Sequence, residues 1–95
     1  MGPGQGRSWL DLMYRLEFRP AAIRALRQLD AVSASRVRGA IALLASEPRP
    51  PGSRKLSGRD AYRVRVGDYR IIYTIDDPKR IVVVVLIGHR RDVYR

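Results

Sequence analysis

The chain has 95 residues, a formal net charge of +10 and a hydrophobic fraction of 45%. This length predicts one small domain with a modest core. We expect residues 1–12, which are Gly-rich and polar, to be a flexible arm or a remnant of cloning, and residues 13–95 to form the domain. The absence of cysteine excludes disulfides and thiolate metal sites, and a single histidine argues against structural zinc.

The sequence also predicts a cytoplasmic protein that does not associate with membranes. Its longest apolar run, Ile81 to Ile87, is much shorter than the roughly 20 residues that span a bilayer. Its first residues lack the apolar segment of a secretory signal peptide. The lack of cysteine fits a reducing compartment.

Arginine dominates the basic residues, since only Lys55 and Lys79 are lysine. A guanidinium group binds phosphate bidentately and stacks on bases, which an ammonium group does not. The charge therefore indicates a polyanionic partner: nucleic acid first, an acidic protein second and a membrane surface third. Codon usage that favours arginine would explain the total equally well, but it would not explain where the arginines stand.

The first half of the domain predicts one strand and two helices. Alternation over residues 13–18 is typical of a half-buried strand. Apolar residues then recur at helical spacing in two segments. Pro20 suits the first position of the first helix, Ser33 is the predicted N-cap of the second, and Pro48 ends that helix. A turn is expected at residues 55–58.

The second half predicts three strands. They lie at about residues 61–66, 69–75 and 80–88 and are separated by turns at 67–68 and 76–79. The predicted order is therefore β-α-α-β-β-β. This order defines an α+β domain of two layers, in which an N-terminal strand and a helical hairpin pack with a mainly antiparallel sheet.

Arginines recur inside the predicted strands with a period of two. This parity places Arg63, Arg65 and Arg70 on the sheet face that points away from the helices. Like charges on neighbouring strands repel one another unless an anion lies between them. The pattern therefore predicts a sheet with one apolar face and one cationic face that binds phosphate. The same parity turns His89, Tyr69 and the core residue Tyr73 toward the helices.

The segment Y-R-V-R-V-G-D-Y-R-I-I-Y, followed by I-G-H-R-R-D-V-Y-R, resembles the RelE branch of the RelE/ParE toxins. The resemblance covers about residues 13–95, including the helical hairpin and the K-L-S-G turn. It implies the RelE-like microbial RNase fold and cleavage of messenger RNA in the ribosomal A site, with ribosomal RNA nearby. It also implies a cognate antitoxin that restrains the activity.

The same resemblance implies roles for individual residues. Arg63 and Arg65 match two basic residues that hold the RNA and assist proton transfer. Arg70 matches the arginine that contacts the scissile phosphate. Arg90 matches the arginine at the end of the last strand, and Tyr94 the tyrosine that acts on the 2′-hydroxyl. We therefore expect Arg65, Arg70, Arg90 and Tyr94 to be catalytic. The expected RNA-binding residues are Arg63, Lys55 and Arg91.

The implied reaction requires no cofactor and no metal, because the 2′-hydroxyl of the RNA attacks its own phosphate. Arginine stands at positions 63 and 65, where relatives often carry lysine, and arginine is a poor proton donor. The acid that protonates the leaving 5′-oxygen is therefore unassigned. Two alternatives stay open from the sequence: a ParE-like inhibitor of DNA gyrase on the same fold, and a non-catalytic relative that binds nucleic acid.

Overall fold

The structure, a computed structural model, describes residues 12–89. The arm predicted for residues 1–12 lies outside this range except for Leu12. In chain order the elements are β1 Arg15–Phe18, α1 Pro20–Gln28, α2 Ala31–Ser46, β2 Arg54–Lys55, β3 Tyr62–Val66, β4 Tyr69–Asp76 and β5 Ile81–His89. The α+β class is confirmed, and the two-residue strand β2 is an addition to the predicted order.

The five strands form one mixed sheet in the order β1-β5-β4-β3-β2. The strand β1 runs parallel to β5, and the other neighbours are antiparallel. The parallel pair requires a long connection, which the two helices supply. The apolar strand β5 lies between β1 and β4, as its run of aliphatic residues predicts.

The helices cover one face of the sheet, which we call the inner face. In α2 the buried residues follow the helical period and are Ala34, Val37, Ile41, Leu44 and Ala45. They meet inner-face residues of β4 and β5, among them Ile71, Tyr73, Val82 and Val84, which are each 0% exposed. The helix α1 contributes the fully buried Ala22 and packs mainly on β5.

Two local features differ from the predictions. The N-cap of α2 is Asp30, whose carboxylate accepts a hydrogen bond from the backbone N–H of Ser33 at 3.1 Å. The prediction that Ser33 is the cap was therefore wrong, because the helix begins three residues earlier, at Ala31. The turn predicted at residues 55–58 begins one residue later, since Lys55 pairs with Tyr62 in the sheet.

A β-bulge interrupts the pairing of β4 with β5. Ile72 pairs with Leu86 and Tyr73 with Val84, so Val85 is an extra residue. Because side chains alternate along a strand, this insertion exchanges the two faces for all later residues of β5. The side chain of Ile87 is consequently on the inner face and 3% exposed.

Candidate nucleic-acid interface

The face of the sheet opposite the helices, which we call the outer face, carries the predicted arginine cluster. Arg65 and Arg70 are direct cross-strand partners in the hairpin of β3 and β4. The turn between them is the predicted Gly67-Asp68, and Gly67 has φ of +59°, a value that suits glycine. Directly opposed residues in an antiparallel pair share a face, so the two guanidinium groups are on the same side. The predicted parity is confirmed for both residues.

Arg70 is less accessible than the parity alone implies. Its side chain is 6% exposed, whereas that of Arg65 is exposed. Among residues 12–89, Arg70 is the one charged residue that is buried. Burial of a cation in a protein is costly unless partners compensate it, so the buried position marks Arg70 as a candidate functional residue. The expectation of an open cationic face is thus corrected: its centre is buried and its edge is exposed.

A groove of about 400 Å³ lies at the edge of the outer face. It is lined by the three arginines Arg54, Arg63 and Arg65, together with Pro51, Gly52 and Val64. Arg54 pairs directly with Arg63, so the two side chains share the outer face. Sequence reasoning missed Arg54, because this residue precedes the predicted turn at 55–58 and belongs to no predicted strand, so side-chain parity assigns it no face.

Lys55, the predicted RNA-binding residue of this segment, is on the other side of the sheet. It pairs with Tyr62, and the ring of Tyr62 stacks on the buried Tyr73 at 5.9 Å between centroids. The side chain of Lys55 therefore lies on the inner face of the sheet, whereas that of Arg63 lies on the outer face. The structure brings Arg63, Arg65 and Arg70 together, with Arg54 in the place expected for Lys55.

The remaining predicted site residues, Arg90, Arg91 and Tyr94, lie outside the described residues. The last described residues of β5 run beside the arginine cluster. Gly88 pairs with Arg70 on the outer face. Position 88 has no side chain, so β5 places only backbone opposite Arg70 on this face.

His89 faces the helices, as predicted. It pairs with Tyr69, and the two rings meet edge to face with centroids 5.8 Å apart. Tyr69 packs against the hydrophobic core. The bulge at Val85 is the cause of this orientation, because without it position 89 would share the outer face with Arg70. A histidine that faces the helices is not positioned to donate a proton on the outer face.

A second polar cluster ties the loop after α2 to the inner side of the sheet. The guanidinium of Arg49 donates two hydrogen bonds to the Asp77 carboxylate, at 2.9 and 3.3 Å, and a third to the Tyr62 hydroxyl at 3.2 Å. It also lies 5.2 Å from the centroid of the Tyr62 ring. The Tyr14 hydroxyl donates to the same carboxylate at 2.6 Å. We call Arg49, Asp77, Tyr62 and Tyr14 the loop clamp.

The pKa shifts in the loop clamp follow from these bonds. The hydrogen bond from Arg49, followed by that from Tyr14, lowers the pKa of Asp77 below its usual range. The bond to the Asp77 carboxylate raises the pKa of Tyr14, because the hydroxyl must keep its proton to donate. At the pH of a cell the pair is therefore Arg49 cation and Asp77 anion. Next to the clamp, the buried Tyr73 hydroxyl donates to the Pro48 carbonyl at 2.7 Å.

The outer-face arrangement is suited to bind and neutralise phosphate oxygens. Preorganised guanidinium groups stabilise negative charge that develops on a phosphoryl group. They are fixed cations and do not exchange protons readily, so a proton acceptor must come from another residue type. Within residues 12–89, no group of three or more His, Asp or Glu side chains is arranged to hold a metal ion. In the same range, no helix has both the length and the apolar character needed to cross a bilayer.

The fold and this face define a small, basic α+β domain with an arginine-bearing sheet surface. Comparison with known proteins agrees. The family described as the ParE toxin of the type II toxin-antitoxin system, parDE, matches residues 16–94. Toxin RelG of Mycobacterium tuberculosis is 36% identical over 86 residues, which are 86% of this chain and 97% of that protein.

Solved structures agree as well. The archaeal RelE-RelB complex from Pyrococcus horikoshii matches with a TM-score of 0.76 and 28% identity, over 85% of this chain and 99% of the other. The intact Escherichia coli RelBE toxin-antitoxin complex matches with a TM-score of 0.71 and 26% identity, over 80% and 95% of the two chains. The chain belongs to the RelE/ParE family and is a toxin of a type II toxin–antitoxin system.

Proposed function

We propose that this toxin is a ribosome-dependent messenger RNA endonuclease that inhibits translation without a metal ion. The observation that carries the proposal is the cross-strand pair of Arg65 and Arg70, with the Arg70 side chain 6% exposed. A cation fixed within a sheet face needs little reorganisation when charge develops on a bound phosphate. The similarity to toxins named RelG and RelE supports the same activity.

In the proposed reaction the 2′-hydroxyl of the RNA attacks the adjacent phosphorus. The bond from the 2′-oxygen to phosphorus forms as the bond to the 5′-oxygen breaks. The leaving 5′-oxygen takes a proton from solvent water, so the products are a cyclic phosphate and a 5′-hydroxyl. Arg70 stabilises the phosphoryl oxygens, Arg65 assists from the facing strand, and Arg63 holds the RNA backbone. Tyr94 accepts the proton of the 2′-hydroxyl, and Arg90 adds a further cation. Both are assigned by resemblance.

The proposed partners are messenger RNA in the ribosomal A site, ribosomal RNA and a cognate antitoxin in the cytoplasm. The solved relatives from Pyrococcus and Escherichia coli are complexes with RelB-type proteins. In this chain Val32 and Leu43 are 68% and 62% exposed on α2. They are eleven positions apart and so lie on one stripe of the helix. With a net charge of +10, an acidic amphipathic segment of the antitoxin is the complementary ligand.

A second candidate function is inhibition of DNA gyrase. The observation that favours it is the family description, which names ParE over residues 16–94. A gyrase inhibitor would act by binding a protein. Its activity would therefore not depend on the buried Arg70 or on the pairing of Arg70 with Arg65. Supercoiling assays with purified gyrase separate the two candidates.

The direct biochemical test uses purified ribosomes programmed with a defined message. We expect the wild-type toxin to cut the message only when it is bound in the A site. The Arg70→Ala and Tyr94→Phe double variant should leave it intact, and Arg24→Ala on the helical layer is the matched control. Gyrase inhibition by wild type without any cut would replace the proposal with the second candidate.

A further inference from the structure

The loop between α2 and β2 passes around the edge of the sheet. Pro48 and Arg49 are on the inner side, where they contact Tyr73 and Tyr62. Pro51 and Gly52 line the groove on the outer side. A backbone hydrogen bond from Ser53 to Pro50 at 3.0 Å closes the turn between them, and Gly52 has φ of +90°. One short segment thus joins the loop clamp to the rim of the groove.

The strand that this loop leads into is weakly held by its own pairing. It contains only Arg54 and Lys55, and Arg54 faces Arg63 across the ladder. Like charges directly opposed in a sheet are destabilising. Two residues of antiparallel pairing do not offset that repulsion and the entropy of ordering the loop. Contacts outside β2 must therefore keep Arg54 at the groove. A hydrogen bond from the Leu56 N–H to the Ala61 carbonyl at 2.8 Å supplies one on the C-terminal side, and others are needed on the N-terminal side.

The loop clamp supplies such contacts. Arg49 is the residue that connects the loop to the sheet, since it binds both the turn residue Asp77 and the strand residue Tyr62. The carboxylate of Asp77 is itself held by the hydroxyl of Tyr14, the residue before β1. The clamp residues lie on the side of the sheet opposite the groove, so they contact no ligand bound there.

We propose that Arg54 is an additional phosphate-binding residue of the groove and that the Arg49–Asp77 pair is a positioning device that holds it there. The proposal rests on the proposed function, in which RNA occupies the outer face. Arg63 and Arg65 are two residues apart, about 7 Å along the strand. Arg54 stands beside Arg63 and farther from the Arg65–Arg70 pair. Arg54 therefore binds the phosphate next to the scissile one. It contributes to the affinity for RNA and does not take part in the chemical step.

The test measures binding of a short single-stranded RNA with 2′-O-methyl riboses, which resist cleavage, as a function of salt. Each phosphate contact contributes about 0.7 to the slope of log K against log salt for a single strand. We expect Arg54→Ala to lower the slope by about that amount. The matched control Arg24→Ala removes the same charge from the helical layer and should leave the slope unchanged. An unchanged slope for Arg54→Ala would overturn the assignment of Arg54.

The positioning role is tested with Asp77→Asn, which raises the net charge. Charge alone predicts tighter RNA binding, and the control Asp60→Asn, an exposed carboxylate outside the clamp, should show that increase or no change. We expect Asp77→Asn to reduce the salt slope as Arg54→Ala does, and the double variant to lose no more than Arg54→Ala alone. Tighter binding by Asp77→Asn, or additive losses in the double variant, would contradict the positioning role.

One reference variant separates this inference from the proposed function. If Arg65→Ala leaves RNA binding and its salt slope unchanged, RNA does not occupy the outer face and the proposed function itself fails. If Arg65→Ala weakens binding while Arg54→Ala does not, the proposed function stands and the inference alone is wrong. Thermal unfolding of each variant is measured in the same buffer, and binding is compared well below the lowest midpoint.

Discussion

Arg65 and Arg70 face each other directly across the β3–β4 hairpin, on the side of the sheet away from the helices. Two cations in this relationship repel each other unless an anion lies between them, and they are complementary to a phosphate. One of them, Arg70, is buried and therefore fixed in place. This pair connects the fold to the proposed chemistry.

Replacing Arg70 should lower the rate of cleavage on programmed ribosomes far more than it lowers binding. We expect Arg70→Ala to reduce the single-turnover rate by about 10²–10³, the usual cost of one lost donor to a developing negative charge. Arg70→Lys keeps the charge but loses the bidentate geometry, so it should recover only part of that rate. Equal rates for wild type and Arg70→Ala at saturating toxin would exclude a role for Arg70 in the chemical step.

Removing the exposed partner should stabilise the protein while impairing its function. The change Arg65→Thr removes the repulsion between the cations at positions 65 and 70, and it introduces a residue that favours strands. The free energy of unfolding should therefore rise by about 0.2–1 kcal/mol. The gain should shrink at high salt, where repulsion is screened. Urea denaturation at low and high salt measures both effects. A loss of stability at low salt would mean that Arg65 makes favourable contacts within the free protein.

The loop clamp should make stability depend on acid pH. Arg49 and Tyr14 lower the pKa of Asp77 in the folded protein. The contribution of Asp77 to the free energy of unfolding is therefore fully present above its pKa in the unfolded chain, which is near 4. That contribution is lost as the pH falls through the pKa of the folded state. The hydrogen bond from Ser33 also lowers the pKa of the N-cap residue Asp30, so Asp30 contributes to the same loss of stability in acid. Unfolding free energies should therefore decline below about pH 4 in wild type. The decline should be shallower in Asp77→Asn; identical curves would show that the clamp carboxylate is not coupled to folding.

The bulge in β5 should be essential for the arrangement of its C-terminal half. Deletion of Val85 would exchange the faces of the next four residues and turn Ile87, which is 3% exposed, away from the core. We expect this deletion to abolish cooperative thermal unfolding, whereas Val85→Ala, which keeps the residue count, should retain it. If the deletion variant unfolds cooperatively near the wild-type midpoint, the bulge has no structural role.

Side-chain parity in the strands was sufficient to predict the core of the site. Arg63, Arg65 and Arg70 share a face because a period of two is preserved through a two-residue turn, and the Gly67-Asp68 signal located that turn. The helical layer followed from its apolar spacing, although α2 begins after Asp30 rather than Ser33. An aspartate and a serine are both good N-caps, so local sequence does not choose between them.

Three features depended on tertiary contacts and could not be read from the sequence. Strand β2 has two residues, too few to show an alternation of side chains. The sequence therefore does not tell which face of the sheet Arg54 and Lys55 occupy. The burial of Arg70 depends on what packs over the outer face, which parity does not report. The bond between Arg49 and Asp77 joins residues 28 positions apart, and the turn that brings them together is set by the sheet.

The most direct test of messenger RNA cleavage by this toxin is to map the 5′ ends of cellular messages after brief induction. We expect new 5′ ends within translated regions, in phase with codons, for wild type and for Arg24→Ala, and their absence in Arg70→Ala. Growth arrest by the wild-type protein with no such ends, or cuts that persist unchanged in Arg70→Ala, would contradict the proposed function.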